Sequence, residues 1–328
     1  MATSWIGLSW RFQRLQDSNP KAIEWIRPKL LPDEFISGWL NRFAFANCHE
    51  YAREFVQAVT TYTKATLSDN NDTYHISSLV SDYTGITPAD LDNFHTLRPW
   101  FSYCGTKLSV RGSHPSAQNR AYVKTQGTCS AFCPDCIKED LSFWGWNYWR
   151  RSHQIPGVTT CLKHGNQLLF TQKNCFISHS PLAALPIGKP CTDSSNFGRT
   201  YSEIANGMLD VATPCIQLQT REKLKALLQV RAGDKKLNSS RAFLTSAAGE
   251  QIPETWVRHA YSGKVTKQAL IKELCQRFPK QLSPIQVAIS LALLFDDPDQ
   301  ALLFWANQRH QLAQISPLAK SGSSQQVH

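Results

Sequence analysis

Two short pairs of side chains carry the chemistry that can be read from this sequence. Cys133-Pro134-Asp135-Cys136 and Cys161-Leu162-Lys163-His164 each set two soft donors three positions apart. A tight turn with that spacing lets both side chains converge on one ion, and two such turns complete a closed tetrahedral shell. A closed shell leaves no place for a reacting group, so the expected role is structural: one zinc ion held by Cys133, Cys136, Cys161 and His164. The 24 residues between the pairs exceed what a minimal ribbon uses and leave room for a short helix. Cys129 is a spare thiol nearby that is able to replace a ligand. The ten cysteines of the chain would suit a disulfide scaffold in a small secreted protein. In a long chain without an export signal they are expected in a reducing compartment, as buried thiols or metal ligands. The expected location is cytoplasmic and nucleoid-associated.

Between the pairs lies Phe143-Trp144-Gly145-Trp146-Asn147-Tyr148-Trp149-Arg150-Arg151. Such a run can stack on bases while its guanidinium groups hold phosphates. More often such a run is core, and here it is expected to pack over the metal site, with the tryptophans mainly inside and Arg150 or Arg151 outside, because unpaired arginine is rarely buried.

Charge is distributed unevenly. The chain carries 35 Lys and Arg against 25 Asp and Glu, a net +10. Residues 98–173 hold ten basic and three acidic side chains, whereas residues 31–97 hold three basic and nine acidic ones. Affinity for a polyphosphate comes largely from neutralising phosphates, so the basic segment is the expected nucleic-acid face and the acidic one the protein-facing surface. The candidate phosphate contacts are Arg98, Lys107, Arg111, Arg120, Lys124, Arg150 and Arg151. The bland alternative is that the two segments attract each other within the fold.

The elements that must position these groups read as helices nearly throughout. Asp33 is the expected N-cap of a helix that buries Phe35, Ile36, Trp39, Leu40 and Phe43, with a second stripe from Tyr51 to Val59. Ile76 to Tyr83, a turn at Gly85, and a Thr87-Pro88 start into Ala89 to Phe94 read as helix, turn, helix. Asp90 and Asp92 on its second helix would repel phosphates, which favours a hairpin serving the core over a DNA reader. Residues 106–127 are polar and read as a surface arm. Beyond a Pro-punctuated stretch (Pro181, Pro186, Pro190), helical patterns follow near 199–211, 216–231, 237–247, 254–261, 264–277, 284–295 and 298–312. Their apolar stripes include Leu224, Leu228, Leu274, Val287, Leu291 and Leu294. Thr266 to Gln276 offers Lys264, Lys267, Lys272 and Arg277 either to DNA or to solvent. The longest apolar run, Val287 to Phe295, falls far short of the roughly 20 residues that cross a bilayer.

The order Cys133-Pro-x-Cys136, Glu139-Asp140, Tyr148-Trp149-Arg150-Arg151, Gln154, Pro156-Gly157-Val158, Cys161-x-x-His164-Gly165 and Leu168 resembles the TniQ family. The upstream Leu31-Pro32-Asp33-Glu34-x-x-Ser37-x-Trp39-Leu40 is similar to the family's opening helix. The resemblance implies a non-enzymatic target-site selector for DNA transposition. Its implied partners are target DNA or an RNA-guided CRISPR effector complex, and an AAA+ ATPase regulator of the TnsC type with its transposase; homodimerisation is left open and no membrane is involved. It also implies that Cys133, Cys136, Cys161 and His164 are the zinc ligands. Members often add a second ribbon, but here Cys175, His179, Cys191 and Cys215 follow without a Cys-x-x-Cys pair. His153 stands where a tryptophan is expected. Ser152-His153-Gln154-Ile155-Pro156 with Asn166-Gln167-Leu168-Leu169 echoes a zinc-containing HNH nuclease, the rival reading, though an acidic residue before His153 and a well-placed second histidine are missing.

The expected fold class is mostly α, with an N-terminal helical, helix-turn-helix-like region, a central zinc-knuckle module and a C-terminal helical domain. The expected division is an extension at 1–30, the helical region at 31–105, the zinc module at 106–175, a linker at 176–198, the C-terminal domain at 199–315 and a disordered tail at 316–328.

Overall fold

Among the described residues helices predominate, and three very short strands brace the middle of the chain. The structure, a computed structural model, describes residues 25–49, 76–102, 130–171, 180–191, 195–210, 217–233, 237–261, 263–277 and 283–305. The stripe at Tyr51 to Val59, the arm at 106–127, Cys129, Cys175, His179, Cys215 and the tail from residue 316 lie outside the described residues.

The first helix, α1 (Ile36–Ala46), turns Ile36, Trp39, Leu40 and Phe43 into a small core, which Trp25, Val80 and Leu91 complete. Phe35, immediately before it, points the other way into the main core. Asp33 is not the N-cap: that position is Phe35, whose side chain makes no capping bond. The reason is that the Asp33 carboxylate is engaged elsewhere, by Arg151 and Ser152, and its backbone is left-handed at φ 57. At the other end Asn47 closes the helix, its amide donating to Phe43 O at 2.8 Å and to Ile26 O at 2.9 Å.

Helix α2 (Ile76–Thr84) stops at Gly85, whose φ of 72 favours glycine. Helix α3 (Pro88–His95) starts at Thr87, whose hydroxyl accepts Asp90 N–H at 3.1 Å, with Pro88 supplying the pre-set first turn. Val80 and Leu91 turn this hairpin onto α1, so it serves the core. A short α4 (Arg98–Ser102) follows and carries Trp100 into the main core.

The middle of the chain holds β1 (Ala131–Phe132), α5 (Pro134–Trp144), β2 (Leu169–Phe170), α6 (Pro181–Ala184) and β3 (Lys189–Pro190). The strands form one antiparallel sheet in the order β1-β2-β3, with Ala131 opposite Phe170 and Leu169 opposite Pro190. The stretch expected to be a linker therefore supplies an edge strand, a place where proline's missing N–H costs no ladder bond.

The C-terminal half comprises α7 (Asn196–Asp210), α8 (Gln217–Arg231), α9 (Leu237–Gln251), α10 (Glu254–Ala260), α11 (Lys267–Arg277), α12 (Pro284–Leu294) and helical residues 298–305. The expected stripe residues Leu224, Leu228, Leu274, Val287, Leu291 and Leu294 are all buried. Every residue of α12 is buried, because α7 and α9 both pack on it. Its start is fixed by a reciprocal cap between Ser283 and Gln286. On α11 Lys264 and Lys272 near its start and on its outer face are exposed, while Lys267 donates to Gly249 O, so one of the offered cations is tied into the fold.

Pro156-Gly157-Val158 is where the two halves meet. Tyr201 Oη donates to Pro156 O at 2.7 Å and Trp256 Nε1 to Gly157 O at 3.0 Å. Gly157 has φ 85, and a Cβ there would stand 2.8 Å from Tyr201 Cε1 and 2.9 Å from Trp256 Cζ2. Only glycine admits both rings this close to the backbone. Among the described residues no helix is long and apolar enough to cross a membrane.

Candidate metal centre

The first pair is carried by a helix start and not by an isolated turn. Cys133 is the N-cap of α5, Pro134 its first residue and Cys136 lies in the first turn. The 3.6-residue period brings side chains three apart to one face. The helix N-terminus also favours negative charge on both sulfurs. The helix anticipated between the pairs therefore begins inside the first pair and runs to Gly145, which ends it at φ 68. The second pair sits at the tip of a hairpin: Thr160 bridges Gln167, Leu168 N–H donates to Thr159 O at 2.8 Å, and Cys161 N–H donates to Asn166 O at 2.8 Å. Gly165, at φ 68, returns its N–H to Cys161 O. Asn166 then donates its side-chain amide to Asp135 Oδ2, which ties the two turns together. Asn166 thus has a structural task, whatever its echo of a nuclease.

The four ligand atoms lie within 4.8 Å of one another. Cys136 Sγ and Cys161 Sγ are 3.7 Å apart, and His164 Nδ1 stands 3.6, 3.3 and 3.7 Å from the sulfurs of Cys133, Cys136 and Cys161. Donors about 2.3 Å (sulfur) and about 2.0 Å (nitrogen) from one tetrahedral centre stand about 3.8 Å apart for two sulfurs and about 3.5 Å for sulfur and nitrogen. The group fits a single tetrahedral ion. The three thiols are buried. Packed this closely, they drive one another's ionisation apart. Hydrogen bonds from Cys136 and Cys161 hold the Cys133 thiol far below its ordinary range, while the bond to Cys133 pushes Cys136 and Cys161 up. A dication at the centre resolves that conflict, because each sulfur then binds as thiolate.

The ring of charge around the centre departs from what the sequence leads one to expect. Arg151 is 4% exposed: its guanidinium meets Asp33 at 3.1 Å, Asp210 at 3.3 Å and Asn93 O. Arg150 is half-buried, its Nη2 2.5 Å from Asp140 Oδ1 and its guanidinium over the Tyr148 ring. The expectation that one of these arginines faces outward is thus corrected: both are held inside by carboxylates. Arg98 is paired with Asp92. Lys107, Arg111, Arg120 and Lys124 lie outside the described residues. The ion pairs Arg98–Asp92 and Arg151–Asp33 join the basic and acidic segments. Asp140 is pushed up to about 6 by burial, against the pull of Arg150.

The aromatic run divides. Trp149 is buried and Tyr148 nearly so, its hydroxyl donating to Pro32 O at 3.0 Å. Phe143 is 75% exposed and Trp144 is also exposed, so the tryptophans are not all inside. Trp149 sits against α1 so closely that a Cβ on Gly38 would stand 3.1 Å from its Cβ.

Sequence reasoning missed the strand-like seam that joins the N-terminal region to this module. Glu34 bridges Arg150, with Phe35 N–H donating to Trp149 O and Arg151 N–H to Asp33 O, both at 2.7 Å. Glu34 is fully buried and holds the guanidinium of Arg42 with both oxygens at 2.7 Å; burial raises its pKa against that pull. His95 Nδ1 donates to Glu34 O at 2.9 Å, and burial lowers its pKa. The sequence signal was the Pro-Asp-Glu triplet before α1, in which Asp33 reads as a helix cap.

His153 is buried, and burial holds its imidazole down at about 4, so it is neutral near pH 7. It lines a cavity of about 410 Å³ together with Asp33, Arg151, Asn206 and Asp210. Gln154 spends its amide on the frame, exchanging hydrogen bonds with both backbone groups of Ala131.

Residues 25–168 match the family model described as TniQ. That match supports assignment to the TniQ family. No curated protein matches the chain. TniQ is a family of non-catalytic transposition adaptors, and the match suggests a transposition-associated role. The match begins at Trp25, in the small core, and ends at Leu168, just past the second pair, so it spans both sides of the Glu34–Arg150 seam.

Proposed function

We propose that this chain is a non-enzymatic adaptor for target-site selection in DNA transposition. In this reading it holds one structural zinc ion through Cys133, Cys136, Cys161 and His164. It links target DNA or an RNA-guided CRISPR complex to an AAA+ regulator of the TnsC type and, through that, to the transposase. The observation that carries the reading is the TniQ match, which runs through the Cys133–Cys136 pair and the Cys161–His164 pair and stops just after them. Zinc is favoured as the ion because three thiolates and one imidazole in a closed tetrahedron suit a borderline-soft d10 cation. Phosphate contact falls to Lys107, Arg111, Arg120 and Lys124, since Arg98, Arg150 and Arg151 already hold carboxylates.

The test is binding of the purified chain to random duplex, to duplex carrying its transposon's insertion locus, and to a neighbouring guide-RNA complex. Preference for the locus without RNA selects direct reading; binding only to the complex selects docking. Converting Arg111, Arg120 and Lys124 together to Ala is expected to weaken every duplex about equally and to flatten the salt slope by up to about three phosphate contacts. Nicking of supercoiled DNA that needs a divalent metal and vanishes in His153→Ala would overturn the adaptor reading in favour of a nuclease.

A further inference from the structure

Glu139 and Asp140 are neighbours on α5, yet they serve different parts of the metal centre. Asp140 is buried and holds Arg150. Glu139 is exposed enough to meet water and reaches the second pair instead. Its Oε2 lies 3.5 Å from Nε2 of His164 and 2.5 Å from Nζ of Lys163. The opposite ring nitrogen of His164, Nδ1, is the one that faces the three sulfurs. A histidine that gives Nδ1 to a cation carries its remaining proton on Nε2, and here a carboxylate oxygen lies 3.5 Å from that nitrogen.

We propose that Glu139 is the positioning carboxylate of this centre, accepting the Nε2 proton of His164 so that the ring is held in the tautomer and orientation that present Nδ1 to the ion. The inference rests on the zinc reading above. It also gives α5 a second hold on the shell: the helix supplies Cys133 and Cys136 directly and steers His164 through Glu139 from the next turn. Lys163 meets the same carboxylate oxygen from the solvent side. Outer carboxylates of this kind change metal affinity by about 10–100-fold. Because Glu139 is part-exposed, the lower end of that range is expected.

The experiment is zinc competition on the full chain against a chromophoric chelator of known affinity, comparing the wild type with Glu139→Gln, Glu139→Ala and Lys163→Ala. The expected result is a loss of about tenfold for Glu139→Ala, a smaller loss for Glu139→Gln, which keeps an acceptor oxygen, and wild-type affinity for Lys163→Ala. A second readout is the His164 Nε2 proton by nitrogen-edited NMR on zinc-loaded protein, which is expected to exchange with water faster in Glu139→Ala. Equal affinity in Glu139→Ala and wild type would overturn the proposal with the zinc centre intact. So would an equal loss in Lys163→Ala, which would assign the effect to the turn. A wild type that folds without binding zinc would overturn both this inference and the zinc reading, an outcome visible before any variant is compared.

Discussion

The metal module and the C-terminal helices hold their shape by different means. Around the centre the strands are two residues long and the chain returns in tight turns, with ion pairs and single backbone bonds beside the apolar side chains Phe132, Ile137, Trp149 and Leu168, which the module adds to the main core. Beyond residue 195 the same chain builds long helices whose apolar faces meet, culminating in an α12 buried along its whole length. On the zinc reading proposed above, a region with so little regular structure of its own takes its stability from the ion, because closing the shell and folding the turns are one event. A region with a continuous apolar core does not need one. The two are joined at Gly157, where Tyr201 and Trp256 reach across.

That contrast can be broken in graded steps. Removing the ion is expected to have the largest effect, since structural zinc contributes on the order of 10 kcal/mol. Under a strong chelator, residues 130–191 should become protease-sensitive while the C-terminal helices keep most of their circular dichroism. Simultaneous loss of both would mean that the halves are one cooperative unit. Leu291→Ala empties a fully buried position in α12 and is expected to cost about 2–5 kcal/mol in denaturant unfolding with zinc content unchanged. Gly157→Ala strikes the joint. Overpacking against two rings is expected to cost about 1–3 kcal/mol, to which a left-handed backbone adds about 1 kcal/mol or more. Trp256 fluorescence should report the loosened contact.

The smallest effect at neutral pH is expected at His153. His153→Trp places a larger ring beside a cavity of about 410 Å³ and should change stability near pH 7 by less than about 1.5 kcal/mol, with target selection retained. Acid separates the two proteins. His153 titrates at about 4 in the fold against an ordinary 6.5. Its unfolded form therefore binds the proton first, and the wild type loses stability as pH falls from about 6.5 to about 4, by up to about 3 kcal/mol. The Trp variant lacks that loss. Parallel pH profiles would contradict the burial of His153.

Much of this organisation was legible in the sequence, and for physical reasons. Helices of the C-terminal half announce themselves because a one-sided apolar stripe must repeat every 3.6 residues, and Leu224, Leu228, Leu274 and Leu291 do so. The clustering of Cys133, Cys136, Cys161 and His164 was legible because chelation fixes spacing. The role of Asp33 was not, since an acid before a helix reads as a cap unless its distant partner is known, and Arg151 lies 118 residues away. For the same reason Arg150 and Arg151 read as surface cations: nothing local shows that Asp140, Asp33 and Asp210 will surround them. The strand at Lys189–Pro190 escaped notice because two residues carry no period.

The central claim is that one ion closes the shell of Cys133, Cys136, Cys161 and His164. It is tested most directly by native mass spectrometry with elemental analysis of the purified chain, alongside Cys136→Ser. The account predicts one zinc per wild-type chain and a variant that is metal-poor and insoluble or protease-sensitive. Well-folded wild-type protein without zinc, or a Cys136→Ser chain that keeps both its zinc and its protease resistance, would contradict it.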